Sequence, residues 1–178
     1  ILSIAKAQDF ECTIARPSVV GGRLIDYPRF VMSRYIVFYM IGVFFMKMKT
    51  QFKEIGKVRI VANRESGLNI VPVDYVAQGI FRAASIQAEQ LNITATENVP
   101  NKLWIPHILE RCDIFDYELV TEEPQDKSPV EVIYYKSVGR QLSKYLNSKN
   151  HCFESKLIRR IMGDVEEPNA TQDFMDLY

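Results

Sequence analysis

Apolar positions along the chain come in short runs broken by polar turns and prolines. Residues 1–10 read as the end of a helix that begins upstream. Glu11–Ala15 then carries Cys12, Thr13 and Ile14, a strand-like trio that Arg16-Pro17 brings to an end, because proline cannot donate to a ladder. Gly21-Gly22 opens a loop. Residues 29–49 read as a helix that is apolar on most sides, hence buried or facing a partner. Val58–Ala62 reads as a second strand, Asn63–Gly67 as a polar turn, and Leu68–Val73 as a third apolar run interrupted by Pro72. From Val76 the apolar residues Val76, Ala77, Ile80, Phe81 and Ala84 fall at helical spacing, and Asp74 is placed to cap that helix.

The second half repeats the alternation. Leu91–Ala95 reads as a strand, and Lys102–Cys112 as a helix with Leu103, Ile105, Ile108 and Leu109 on its core side. Tyr117–Val120 is a short strand, and Thr121–Pro129 is a charged loop bounded by prolines. Helices are expected over 130–147 and 153–163, the latter with an apolar stripe of Phe153, Leu157, Ile158, Ile161 and Met162. Strands that alternate with helices imply an α/β fold. The strands are few and short, too few for a complete doubly wound sheet. The expected organisation is a core with a substrate-binding subdomain over 1–120, a linker at 121–129, and a helical tail over 130–178.

Composition narrows the classes. Lys plus Arg is 22 and Asp plus Glu is 22, and this zero net charge argues against a nucleic-acid binder. Cys12, Cys112 and Cys152 are widely spaced and only two histidines occur, so no metal site is expected. A reducing, cytoplasmic location is the simplest reading of free cysteines. The apolar stretch Tyr35–Met46 is closed by Lys47 and Lys49. A membrane span needs about 20 apolar residues, so no transmembrane span is expected.

Two segments carry more specific information. They are Ile14-Ala15-Arg16-Pro17-Ser18-Val19-Val20-Gly21-Gly22 and Ile70-Val71-Pro72-Val73-Asp74-Tyr75-Val76-Ala77-Gln78-Gly79-Ile80. In this order, with Leu91-Asn92-Ile93-Thr94 and a helix following, they resemble the C-terminal, substrate-binding part of extended short-chain dehydrogenases/reductases. The nearest branch is that of fatty acyl-CoA reductases, thioester reductases and male-sterility proteins. Nucleotide-sugar epimerases and dehydratases share a looser form of the pattern. The resemblance covers about residues 1–120. It implies a C-terminal fragment of a Rossmann-type fold and an NAD(P)-dependent oxidoreductase as the parent protein.

The resemblance also assigns positions. The backbone after the first strand contacts the nicotinamide carboxamide in the family, which places cofactor binding at Pro17, Ser18 and Val19. Substrate contacts are expected at Gly22 and, from the apolar 29–49 helix, at Phe38 and Phe45. Reduction of an acyl thioester is the reading drawn from the nearest branch. A nucleotide-sugar epimerase or dehydratase, or a non-catalytic binding domain that kept the fold, stays open beside it.

The family's glycine-rich pyrophosphate loop has no counterpart in the chain, and its Tyr-x-x-x-Lys pair belongs in the helix before the first strand. No catalytic residue is therefore assigned, and NAD or NADP is expected with the full-length protein rather than with this chain. The one literal match, Tyr145-Leu146-Asn147-Ser148-Lys149, lies after that strand and reads as chance, two residues on one helix face. Expected partners are a missing N-terminal dinucleotide-binding half, a small-molecule substrate, and further copies of the chain through self-association.

Overall fold

The short apolar runs do form short strands. The computed structural model describes residues 2–9, 11–29, 37–86 and 88–165. Its helices are α1 Leu2–Ala7, α2 Tyr39–Gln51, α3 Val73–Ala83, α4 Asn101–Arg111, α5 Pro129–Lys136, α6 Val138–Leu146 and α7 Lys156–Ile161. Its strands are β1 Ile14–Pro17, β2 Val19–Gly21, β3 Val58–Val61, β4 Gly67–Leu68, β5 Ile70–Pro72, β6 Gln90–Ile93, β7 Val99–Pro100 and β8 Tyr117–Val120. The mixed α/β class follows the sequence pattern. No described helix is long and apolar enough to cross a membrane. The chain divides into two compact units, one of residues 1–32, 69–97 and 152–178, the other of 33–68 and 98–151.

In the first unit, β1 runs parallel to β6, with Ile14 opposite Gln90 and Pro17 opposite Ile93. β2 runs parallel to β5, with Val19 opposite Ile70 and Gly21 opposite Pro72. α3 and α7 cover these strands through a core of Val71, Tyr75, Val76, Leu91, Ile93 and Ile158. Ile158 is fully buried, and burying such a side chain contributes roughly 1.5–3 kcal/mol. Arg82 adds a polar tie, donating to the Ile161 carbonyl at 3.1 Å and pairing with Asp164. The expected stripe on α7 is therefore real at Ile158 and Met162, with Leu157 and Ile161 packed at its margin, whereas Phe153 is exposed.

In the second unit, β3 runs parallel to β8 and β4 pairs antiparallel with β7. Gly67 allows that second pairing: a Cβ there would lie 2.3 Å from the Val99 carbonyl oxygen. The core is aromatic. Phe45 stacks on Tyr134 with ring centroids 5.8 Å apart, and Phe38 meets Trp104 edge-on at 6.1 Å. Asn101 organises the polar side of this core. Its amide donates to the carbonyls of Asn63 at 2.8 Å and Leu146 at 2.9 Å, and its Oδ1 accepts from Trp104 Nε1 at 3.0 Å. Arg59 of β3 donates to the buried Glu131 of α5 through Nε and Nη2, both at 2.8 Å. Ser128 and Glu131 also close a capping box at the start of α5.

Several boundaries depart from the pattern, each for a local reason. α2 begins at Tyr39; Arg29 lies in a turn, and the rest of the expected N-terminal part, 30–36, lies outside the described residues. α4 turns Trp104, Ile105 and Leu109 inward and leaves Leu103 exposed, because the Trp104–Asn101 bond and the larger ring set its rotation. The helix expected over 130–147 breaks at Ser137, which has the non-helical dihedrals φ −119° and ψ −99°. The loop read as a linker joins β8 to α5 within the second unit, and the segment read as a tail divides between the two units.

Asp74 is also corrected. α3 begins one residue earlier, at Val73; Pro72 occupies the N-cap position and no side chain caps the helix. The Asp74 Oδ2 instead accepts the backbone N–H groups of Leu24 at 3.1 Å, Ile25 at 2.6 Å and Asp26 at 2.9 Å. Its Oδ1 accepts from Tyr75 N at 3.0 Å. A carboxylate offers several lone pairs, and four converging N–H groups use them better than one helix end would.

Two outcomes follow from these interactions. Asp74→Ala should lower stability by about 2–3 kcal/mol, the scale for losing hydrogen bonds to a charged acceptor, rather than the ~1 kcal/mol of a lost cap. Urea unfolding reads the difference, and a loss of only ~1 kcal/mol would return Asp74 to a capping role. The second concerns acid. Burial of Glu131 disfavours its charge, but hydrogen bonds from the Arg59 side chain and from the Ser128 and Arg59 amides outweigh it, so its carboxyl sits below the ordinary glutamate range. A depressed folded-state pKa contributes stability that is present above the unfolded value of about 4.3 and is lost as pH falls through the folded one. Chemical denaturation from pH 6 down to roughly 3 should show this loss, and Glu131→Gln should flatten it.

Candidate functional site

The sequence-marked residues of the first unit gather where one extended segment changes partners. β1 is paired with β6 up to Pro17. Ser18 still donates to the Ile93 carbonyl at 3.1 Å, while the next amide, Val19 N, donates to the Asn69 carbonyl at 3.0 Å, just ahead of β5. The segment 14–21 therefore holds β6 with its first half and β5 with its second. The parting leaves a fork at the carboxyl ends of β1 and β6, the kind of strand end where ligands of open α/β sheets sit, and β2 and β5 begin on its other side.

Asn69 closes the fork. Its Nδ2 donates to the Ala95 carbonyl at 2.8 Å, and its Oδ1 accepts from Ala95 N at 3.0 Å. The side-chain amide thus stands in for a ladder residue between β5 and the end of β6. This explains why the strand expected to reach Ala95 stops at Ile93: Thr94 and Ala95 leave the ladder to meet Asn69. Sequence reasoning missed Asn69, Thr94 and Ala95. The signal available was a polar residue inside the apolar run Leu68–Val73.

Pro17 is exposed at the end of β1, and Ser18 and Val19 are half-buried behind it. The Ser18 and Val19 amides are both engaged by the fork, so they are not available to a ligand. The Ser18 hydroxyl and the buried Thr94 hydroxyl have no hydrogen-bond partner among the described residues. A buried hydroxyl without a partner is costly, and here two occur at one strand end. Such hydroxyls fit a carboxamide, which both donates and accepts. Gly22 follows directly and is buried, at the start of the loop that Asp74 holds.

The other expected residues lie elsewhere. Phe38 and Phe45 are each 1% exposed and belong to the aromatic core of the second unit. Met46 is the large apolar side chain that α2 leaves exposed. Tyr145 is exposed on α6, and Lys149 lies beyond the end of that helix at Leu146, so the pair does not share a helix face as the spacing predicts. A hollow of about 430 Å³ in the second unit is lined in part by Lys49, Phe52, Lys53 and Phe115, not by Phe38 or Phe45. Among the described residues no cluster of His, Cys, Asp and Glu could hold a metal ion.

No family model and no curated protein matches the chain. Solved structures do. A UDP-N-acetylglucosamine 4-epimerase from Methanobrevibacter ruminantium M1, in complex with UDP-N-acetylmuramic acid, aligns over 98% of this chain and 46% of its own, with TM-score 0.54 and 13% identity. RMD from Pseudomonas aeruginosa, complexed with NADPH, aligns over 92% and 50%, with TM-score 0.47 and 13% identity. A UDP-glucuronic acid 4-epimerase from Bacillus cereus, with UDP-glucuronic acid and NAD, aligns over 99% and 49%, with TM-score 0.42 and 13% identity. The chain spans about half the length of these proteins. At this identity the first of them establishes a likeness of fold: the chain has the α/β fold of one part of an epimerase.

Proposed function

We propose that the chain is the C-terminal, substrate-binding part of an NAD(P)-dependent oxidoreductase of the extended short-chain dehydrogenase type. The observation that carries this reading is the fork at Ser18. It lies at the carboxyl ends of the parallel pair β1–β6 and ahead of the pair β2–β5, it holds two unpartnered hydroxyls, and it is the segment whose sequence resembles the family. The match to an epimerase over nearly the whole chain supports the same reading.

In this proposal the strand end at Pro17, Ser18 and Val19 meets the nicotinamide of NAD or NADP. When bound, that cofactor supplies hydride transfer. Pro17 offers a rigid apolar wall of fixed φ, and Ser18 offers its hydroxyl. Asn69 keeps the two strand ends apart, and Asp74 fixes the loop from Gly22. The glycine loop and proton-transferring tyrosine belong to a partner dinucleotide-binding half.

Two substrate readings follow. Reduction of an acyl thioester rests on the Arg16-Pro17-Ser18 and Pro72-Val73-Asp74 motifs. Conversion of a nucleotide sugar is favoured by the epimerase fold match, whose partner protein holds a UDP-linked sugar. The burial of Phe38 and Phe45 takes away the apolar wall that favoured the acyl substrate. Val73, Ile80 and Phe81 form an exposed apolar stripe on α3, which supports association with further protein.

The test is made on the full-length protein that carries this chain. Tryptophan-to-NADPH energy transfer should report cofactor binding, and Ser18→Ala should weaken it by about tenfold, the equivalent of one good hydrogen bond. NADPH consumption with an acyl-CoA, read at the reduced nicotinamide band, or redox-neutral conversion of a UDP-hexose, read by chromatography of the sugar nucleotide, assigns the substrate. Full-length protein that binds neither cofactor, or that binds as well with Ser18→Ala, would refute the assignment.

A further inference from the structure

Beyond the fork, the loop 22–29 has a composition and a rigidity that its place on the surface does not require. Three successive amides, those of Leu24, Ile25 and Asp26, converge on the single oxygen Oδ2 of Asp74, at 3.1, 2.6 and 2.9 Å. Asp74 is 7% exposed and sits on α3, so the loop is fastened to a helix that packs on the core of its unit. Ile25 packs against the core beneath. An exposed loop is ordinarily the mobile part of a fold. This one is held from inside at three consecutive positions.

The side chains on either side of the fastening point outward. Arg23 and Arg29 are both exposed, and among the described residues neither guanidinium has a carboxylate partner. Arg59 and Arg82 form ion pairs, but the lack of one is not by itself what marks Arg23 and Arg29; the stack on Tyr27 and the fastened loop are. Tyr27 is 77% exposed, and the Arg29 guanidinium lies 4.9 Å from its ring centroid. Such a stack orients the planar guanidinium at little entropic cost and leaves its N–H edge free for an anion. Guanidinium groups match phosphate oxygens by paired N–H donors. The loop also begins immediately past β2, at the strand ends where ligands of this fold class are met.

We infer that loop 22–29, fastened by Asp74, is a preorganised site for a phosphate-bearing ligand, with Arg23 and the Tyr27-stacked Arg29 as its recognition groups. Asp74 acts through the loop: its negative charge is neutralised by three inward amides, and the two cations stay outward. The inference rests on the proposed oxidoreductase reading for the occasion on which a phosphate arrives. That phosphate could belong to the dinucleotide cofactor or to the diphosphate of a substrate, and the chemistry at the loop is the same.

The experiment uses the chain itself, ¹⁵N-labelled, titrated with inorganic pyrophosphate, UDP and NADPH. Pyrophosphate should shift the amide resonances of residues 22–29, with an affinity that weakens as salt is raised. The Arg23→Ala/Arg29→Ala double variant should bind at least about tenfold more weakly, and Arg23→Lys/Arg29→Lys should recover only part of the loss. Asp74→Asn should speed hydrogen exchange at residues 24–26 and weaken pyrophosphate binding while the far-ultraviolet spectrum is kept. Tighter binding of UDP than of NADPH assigns the loop to substrate, and the reverse assigns it to cofactor. Absence of shifts at 22–29 with all three probes overturns the inference, as does unchanged pyrophosphate binding in the alanine double variant. None of these readouts involves hydride transfer, so failure here is distinct from failure of the oxidoreductase reading.

Discussion

A backbone amide that leaves a strand ladder must find another acceptor, and this requirement organises the first unit. The segment 14–21 cannot stay with β6 and also reach β5. It parts from one and joins the other at Ser18, with a hydrogen bond to each side from consecutive amides. The groups left over at the parting are then satisfied by side chains. Asn69 supplies a paired amide contact to Ala95, and Asp74 collects the amides of the loop that follows. Both side chains are buried, and both are polar residues set in otherwise apolar segments. Removing either would strand backbone groups in a low-dielectric interior, where an unmade bond costs most.

The second unit solves a similar problem with different chemistry. Its helices pack through rings, and its polar ties come from Asn101, Arg59 and Glu131. Glu131 is buried, yet it is ionised because it serves two purposes: it completes a capping box and it receives the Arg59 fork. Tyr135 joins the same strand, donating to the Arg59 carbonyl at 2.8 Å and accepting from Val61 N at 3.1 Å. β3 is thereby held on one edge by β8 and along its length by α5. The tight place in this arrangement is Gly139, where a Cβ would lie 2.7 Å from the Tyr134 ring. The helix break at Ser137 and the glycine after it let α6 pass close to that ring.

Much of the site was legible at the level of segments and little of it at the level of atoms. The Arg16-Pro17-Ser18 stretch ends a strand, as proline requires, and Pro72-Val73-Asp74 opens a helix, as its spacing requires. The role of Asp74 was misread because preference for a helix cap is a local rule, while its partners lie some fifty residues back along the chain. The apolar 29–49 stretch reads as buried or as facing a partner, with Phe38 and Phe45 as substrate contacts in the second reading. They are covered by Trp104 and Tyr134, which no local pattern links to them. Asn69 was passed over because a single polar residue in an apolar run has no periodic signature.

The sequence by itself determined the α/β class, the strand end at Pro17 and the helix start after Pro72, since each rests on dihedral restriction or on side-chain period within a few residues, but not the short strands Val19–Gly21, Gly67–Leu68 and Val99–Pro100. Only the tertiary structure decided that the segment 14–21 divides between two partners, that Asp74 fastens a distant loop, and that Trp104 rather than Leu103 enters the core. Those outcomes depend on which backbone groups are left without a partner after packing and on which ring fits beside which. Both are properties of residues brought together from far apart, and neither is written in the neighbours of any one of them.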